Sequence, residues 1–309
     1  MYYALDVKTN GAERIKYNNT DMPLYARQGR LSSFRNYAAA CHWHDDVEFI
    51  ITQKGYMRYN VNGQTIVIEE GEGLFVNAEQ LHYGCSEDGS DCEFLCILFS
   101  PRLLCVNRYM EQKCVAPLIR NAAFPYSIIQ PYSKWEMKML CDLKHLFTLI
   151  NDSKPLAIIE AGECLHSIWA GLFKNMPASS PQDSSTDKHL ASLRLMMEFI
   201  HANYSHKITL LMIAKSGGVC QSNCCVIFNR FLHKTPIQYL TSYRLQLGAN
   251  MLLENKLNIT EIASACGFRS SSFFSETFKK IYNCTPTKYQ QQTLSINHSH
   301  LNAVAPGED

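Results

Sequence analysis

Apolar and polar residues alternate along positions 34–100, a period of two that predicts short antiparallel β-strands. Glycines at 55, 63, 71, 73, 84 and 89 punctuate this stretch. Within NVNGQTIVIEEGEG, Asn62-Gly63 is a hairpin signal, because both residues tolerate positive φ. Beyond the strands the period lengthens. Met139, Leu143, Leu146 and Ile150 recur in three- and four-residue steps, as do Leu165, Ile168, Trp169 and Leu172, and both sets predict amphipathic helices. Their apolar stripes suit either a cover for the strands or a contact between two copies of the chain.

The pattern changes again near the C-terminus, where residues 208–239 and 257–289 repeat one another. ITLLMIAKSGGVCQSNCCVIFNRFLHKTPIQY matches LNITEIASACGFRSSSFFSETFKKIYNCTPTKY with one residue inserted in the second turn. Each copy reads as two helices around a tight turn. Thr209 and Asn258 are helix caps, the small Ala214 and Ala263 permit close approach, and Gly218 and Gly267 suit a turn at positive φ. The second helices, about 221–232 and 271–282, hold their apolar residues on one face and leave the other for a groove. Phe228, Phe278, Phe273 and Cys224 fall at core positions by this spacing.

A chain of 309 residues suits two domains. MPASSPQDSSTD, residues 176–187, has linker composition. It separates residues 1–175 (strands about 30–100, helices about 135–175) from residues 188–292, and the patternless 293–309 is expected to be a disordered tail. The overall charge of +1 hides an asymmetry. Residues 188–292 carry 12 of the 29 Lys/Arg and 4 of the 28 Asp/Glu, so that part is +8 and the rest −7. Such a split points to a polyanionic partner for the C-terminal part alone. Thirteen cysteines without a CxxC pair suggest reduced thiols rather than a disulfide framework or zinc ribbon. The longest apolar run, Phe94 to Phe99, is far too short to span a membrane, and the polar start has no signal segment. A cytoplasmic protein without a membrane partner is expected.

One cluster carries candidate chemistry. His42, His44 and Glu48 form an HxHx3E pattern, and His82 follows on a later strand. Histidines two apart on a strand project to one face, and with a carboxylate they suit a divalent transition metal. A polar pocket without metal and purely structural histidines fit the same spacing. GxSxG and phosphate-cradling glycine loops are absent. No catalytic residue is assigned.

Residues 188–292 resemble the tandem helix-turn-helix domain of AraC/XylS transcription regulators, the second copy following that signature almost position for position. The first departs from it, with Cys220 for a Ser cap, Val226 for an arginine or polar reader, and Leu211 and Met212 for polar helix residues. The resemblance implies base-facing roles for Ser222, Cys225 and Val226 and for Ser271, Ser272 and Glu276. Arg230, Lys234, Lys279 and Lys280 suit phosphate contacts. Glu276 can accept from cytosine N4 whereas Val226 reaches only a thymine methyl, so the second module is expected to discriminate bases more sharply. The HxHx3E segment resembles the first motif of cupins. GEGLFVNAEQLHY resembles the second, with Asn77 and Glu79 in place of the usual proline and glycine.

Together the resemblances imply an α+β chain, a cupin-like β-barrel with following helices and then an all-α tandem helix-turn-helix domain. They imply a DNA-binding transcription regulator controlled by a small-molecule effector held by His42, His44, Glu48 and His82, with no metal and no cofactor. Double-stranded DNA and the effector are the expected partners, RNA polymerase is a further candidate, and the chain is expected to form a homodimer. The alternatives are a metal-dependent cupin enzyme with those four residues as ligands, and a protein-interaction module with degenerate DNA-binding units.

Overall fold

The structure, a computed structural model, describes residues 3, 5–8, 11–18, 22–150, 152, 154–178 and 184–291. The chain divides into two compact units between residues 186 and 187.

The N-terminal unit contains β1 (Leu24–Arg30), β2 (Val47–Lys54), β3 (Met57–Val61), β4 (Gln64–Ile68), β5 (Gly73–Val76), β6 (His82–Cys85), β7 (Glu93–Phe99) and β8 (Tyr126–Ile129). They form a five-stranded sheet ordered β1-β7-β2-β5-β8 and a three-stranded sheet ordered β4-β3-β6, with antiparallel pairing throughout. The β3–β4 hairpin turns at Asn62 and Gly63, whose φ angles are 50° and 84°. Strands extend past the expected 30–100 at both ends. β1 begins at Leu24, and β8 pairs with β5 from beyond a helical excursion. At four residues, β8 is too short to show a period.

The pleat sends alternate residues of β2 to opposite sides, and both sides are buried. Phe49 and Ile51 join Phe75, Ile97 and Phe99 in an outer layer. Ile50 joins Leu74, Val76, Met57, Tyr59 and Phe94 between the sheets. The helices close the outer layer. After α1 (Arg108–Met110), a π-helical turn (Glu111–Val115) and α2 (Ala116–Ile119) come α3 (Lys134–Ile150) and α4 (Pro155–Asn175). Met139, Leu143 and Leu146 of α3 and Leu165, Ile168, Trp169 and Leu172 of α4 belong to the same buried cluster as Phe49 and Phe75. The two stripes therefore cover the sheet, because its outer face is itself apolar, and are not available to pair two copies. By length and composition α4 could cross a membrane, but this stripe is packed inside the unit. Its first turns leave Leu156, Ile158 and Ile159 exposed.

The C-terminal unit is helical: α5 (Ser184–Asn203), α6 (Leu210–Ser216), α7 (Gln221–Leu232), α8 (Pro236–Glu254), α9 (Ile259–Ala265) and α10 (Ser271–Tyr282). α5 starts inside the expected linker, since Ser184 and Ser185 are tolerated in a first helical turn. Residues 179–183 and the tail 293–309 lie outside the described residues.

Thr209 accepts from the Met212 amide at 3.3 Å, and Asn258 caps α9 in a reciprocal box with Glu261. Gly218 and Gly267 both adopt positive φ, at 67° and 74°. At Gly267 a second constraint applies, because a Cβ there would lie 2.5 Å from the Tyr204 carbonyl oxygen. Arg244 of α8 donates to that carbonyl at 2.8 Å and to His206 O at 2.7 Å, tying the end of α5 to the second module's turn. Leu245, Ala249 and Leu252 of α8 pack with Ile262, Ala263, Phe274 and Phe278, so the connecting helix forms part of the second core.

Candidate functional site

Two sites emerge, one in each unit. In the N-terminal unit the backbones of His42 and His82 pair directly, with amide-to-carbonyl bonds of 3.1 and 2.9 Å in the two directions. This bridge sets the two rings at a centroid distance of 4.3 Å. His44 is two residues on, and Glu48 lies on the inward side of β2 opposite Leu98 of β7. All four predicted residues, His42, His44, Glu48 and His82, are brought together and buried, and one ligand atom from each lies within 4.8 Å of all the others.

The orientation of each imidazole follows from its hydrogen bond. His42 Nδ1 faces Ala40 O at 2.8 Å, His44 Nδ1 faces Asp46 O at 3.0 Å, and His82 Nδ1 faces Gln80 O at 2.8 Å. A carbonyl only accepts, so each Nδ1 donates and each Nε2 is left as the inward atom. Glu48 Oε2 lies 3.2 Å from His44 Nε2 and 3.4 Å from His82 Nε2. Its other oxygen accepts from the Tyr59 hydroxyl. His82 Nε2 is fully buried and has no hydrogen-bond partner.

The electrostatics are divided. Burial, and then the neighbouring His82 and His44, push His42 well below its ordinary value. For Glu48 burial acts upward, yet His82 and His44 outweigh it and hold the carboxyl well below the usual carboxylate range. His44 moves up despite burial, through its bond to Glu48 and the charges of Glu48 and Glu13.

Glu13 escaped the sequence reading because nothing in its local pattern marks it. Its Oε2 lies 3.5 Å from His42 Nε2, and burial, against the pull of His44 and joined by the carboxylates Glu48, Asp6 and Asp46, pushes it up to about 7. Glu13, His42, Glu48 and Tyr59 line a cavity of about 180 Å³. Leu31, Phe34, Ile50, Met57, Phe94 and Leu98 give the cavity its apolar walls, and the cations Arg14, Lys16 and Arg27 also border it. An apolar chamber with a few convergent polar groups is the usual form of a small-molecule site. Trp43 and Tyr83 are half-buried, and Phe49 and Phe75 lie behind the sheet. None of these four lines the cavity.

In the C-terminal unit, the second helix of each turn presents a polar face. Ser222, Val226, Arg230 and Lys234 are exposed and Cys225 is half-buried. Ser272, Glu276, Lys279 and Lys280 are likewise exposed, with Ser271 half-buried. Cys224, Phe228 and Phe278 are core residues as expected. Phe273 is not: it is 55% exposed, because the inward stripe of α10 runs through Phe274 and Phe278, and Phe273 lies one residue off it. On the outer face Phe273, Glu276 and Lys280 follow at i, i+3 and i+7, with Lys280 Nζ 2.9 Å from Glu276 Oε1. The first module offers the apolar Val226 at the place of Glu276, and Leu211 and Met212 of α6 are exposed as well.

Comparisons with known proteins agree with this division. A family model described as AraC-like ligand binding domain matches residues 29–108, and one described as helix-turn-helix domain matches residues 213–292. The uncharacterized HTH-type transcriptional regulator YdeC of Bacillus subtilis is 29% identical over 92% of this chain and 97% of its own. The melibiose operon regulatory protein of Escherichia coli K12 is 24% identical over 89% and 92%. Among solved structures, ToxT of Vibrio cholerae with a bound unsaturated fatty acid aligns over 89% of this chain and 97% of its own, at 12% identity and a TM-score of 0.42. With a ligand-binding domain ahead of a helix-turn-helix domain, the chain belongs to the AraC/XylS family of DNA-binding transcription regulators.

Proposed function

We propose that the chain regulates transcription by reading two neighbouring segments of one duplex, under the control of a small molecule held in the N-terminal cavity. The observation that carries this reading is the pairing of two exposed reader helices, α7 and α10, with a buried polar group facing an apolar cavity in the same chain. Ser222, Cys225, Val226, Ser271, Ser272 and Glu276 are the base-facing side chains in this reading, and Phe273 is added to them. Arg230, Lys234, Lys279 and Lys280 meet phosphates. At 1.5 Å per residue the 19 residues of α8 span about 28 Å, which suits readers set near one DNA turn, about 34 Å, apart.

His42, His44, Glu48 and His82 form the polar end of the effector site in this reading. Control requires the effector to bind one arrangement of the protein better than another, by a factor equal to the change in DNA affinity. The chain acts as a homodimer with RNA polymerase as a further partner, and the exposed Leu156, Ile158 and Ile159 are the apolar surface offered to the second copy. The relatives named above are regulators, which favours this reading over a metal-dependent enzyme built on the same four residues.

Selection of bound sequences from random duplexes tests the DNA reading. A recovered site with two half-sites about one turn apart is expected. Recovery of unselected sequence at physiological salt would remove the proposal.

A further inference from the structure

The first helix of the C-terminal unit touches both helix-turn-helix turns. At the first turn α5 lies so close that a Cβ on Gly217 would stand 2.6 Å from Met196 Cγ and 2.9 Å from Ser192 O. At the second, a Cβ on Gly267 would stand 2.5 Å from Tyr204 O and 2.8 Å from Ser205 O, just past the end of the same helix. Neither gap admits a side chain, so each turn rests directly on α5 or its end. The contact points Ser192 and Tyr204 are about 18 Å apart along the chain's helical rise. Between them α5 runs against α8. The His201 ring stacks on Tyr243 at a centroid distance of 4.1 Å, and Tyr204 meets the same tyrosine edge-on at 5.6 Å.

The two contacts differ in kind. The first is close packing within the first module, around the buried Met196. The second is polar and joins the modules. Arg244 Nε donates to Tyr204 O at 2.8 Å and Nη2 donates to His206 O at 2.7 Å. Two bonds from one planar guanidinium fix the direction of both carbonyls, which the single ammonium of a lysine cannot do. The same guanidinium lies 6.0 Å from the Phe268 ring of the second turn, and Nη2 would stand 2.9 Å from a Cβ on Gly267. Arg244 therefore sits between the end of α5 and the turn that launches α10.

The place of a turn decides where its second helix begins: α7 starts at Gln221, shortly after Gly218, and α10 at Ser271, shortly after Gly267. Each base pair advances a duplex by about 3.4 Å and rotates it by about 35°. A small shift of one reader against the other thus changes the spacing of half-sites that fits both.

We propose that Arg244 is a positioning residue for operator reading: by clamping the end of α5 to the second turn, it holds the two reader helices at one separation and phase. The protein then accepts one spacing between half-sites. This inference rests on the reading of α7 and α10 as a pair on one duplex.

The test titrates the full-length protein by fluorescence anisotropy against its selected site, against versions with one or two base pairs added to or removed from the spacer, and against each half-site alone. Wild-type affinity should fall at least about tenfold at the altered spacings. Arg244→Gln should flatten that profile to within about threefold while each isolated half-site binds within about twofold of wild type, and Arg244→Lys should lie between. The side chain is half-buried, so water reaches the released carbonyls and both variants are expected to fold, checked by thermal melting. A residue needed only for stability would weaken every duplex alike and leave the ratios as they were. A glutamine profile as steep as that of wild type overturns the proposal. A wild-type protein indifferent to spacing does the same, as does loss of folding in both variants, which would make Arg244 a residue of the core. Any of these results alongside sequence-selective binding removes this inference and leaves the DNA reading standing. Absence of selective binding removes both.

Discussion

On α10, Phe274 is fully buried, packed near Gly248 and Phe278, whereas its neighbour Phe273 shares the outer stripe with Glu276 and Lys280. The two phenylalanines should respond differently to truncation. Phe274→Ala is expected to cost about 3 to 5 kcal/mol in urea unfolding through the cavity it leaves. Phe273→Ala should cost under about 1 kcal/mol and should weaken specific duplex binding in fluorescence anisotropy. Equal losses of stability would return Phe273 to a packing role. Glu276→Ala should relax preference at one base pair by about 1 to 3 kcal/mol, read as relative affinities over a randomised site. Unchanged ratios there would remove Glu276 from the base-facing set. At this scale the identity of the barrel residues was legible, because HxHx3E and a later histidine stand out as residue types. Glu13 was not, since it reaches His42 only through the path of the chain. Phe273 was misread because one step along a helix turns a side chain by about 100°.

The two glycine turns give the test at the scale of elements. Gly218 and Gly267 both need positive φ, but a Cβ at 218 meets open space while one at 267 meets the Tyr204 and Ser205 carbonyl oxygens. Gly218→Ala is expected to cost about 1 kcal/mol from backbone strain alone. Gly267→Ala should cost clearly more, since strain and collision add. Denaturant midpoints at matched m-values compare them, and indistinguishable midpoints would mean that the α5 end gives way freely. Element existence and type were legible wherever a period ran long enough. Helices α7 and α10 fall where the repeat places them. The four-residue β8 and the start of α5 within a serine-rich run were not, because neither shows a period.

Across the whole chain, the +8 charge of residues 188–292 should make duplex binding strongly dependent on salt. Lys279→Ala and Arg230→Ala should each lower the log–log salt slope by about 1 with little change in site preference, measured by anisotropy across a salt series. An unaltered slope would exclude a phosphate contact for that residue. Equilibrium sedimentation at micromolar concentration should find a dimer that Ile159→Lys weakens. A wild-type monomer would end the homodimer reading. The helix stripes could not settle this from sequence, since covering a sheet and pairing two chains demand the same periodicity.

The repeat, its caps and its turn glycines, the Asn62-Gly63 hairpin, the two helix stripes and the histidine–glutamate pattern could all be read from the chain alone. Each is local and expresses itself through neighbouring residues and a fixed period. Only the tertiary structure decided that the stripes cover the β2–β5–β7 sheet, that Phe49 and Phe75 lie outside the barrel, and that Glu13 joins His42 at the cavity. Those outcomes depend on which buried face meets which across long sequence separations, and alternation along a strand names two faces without saying what covers either.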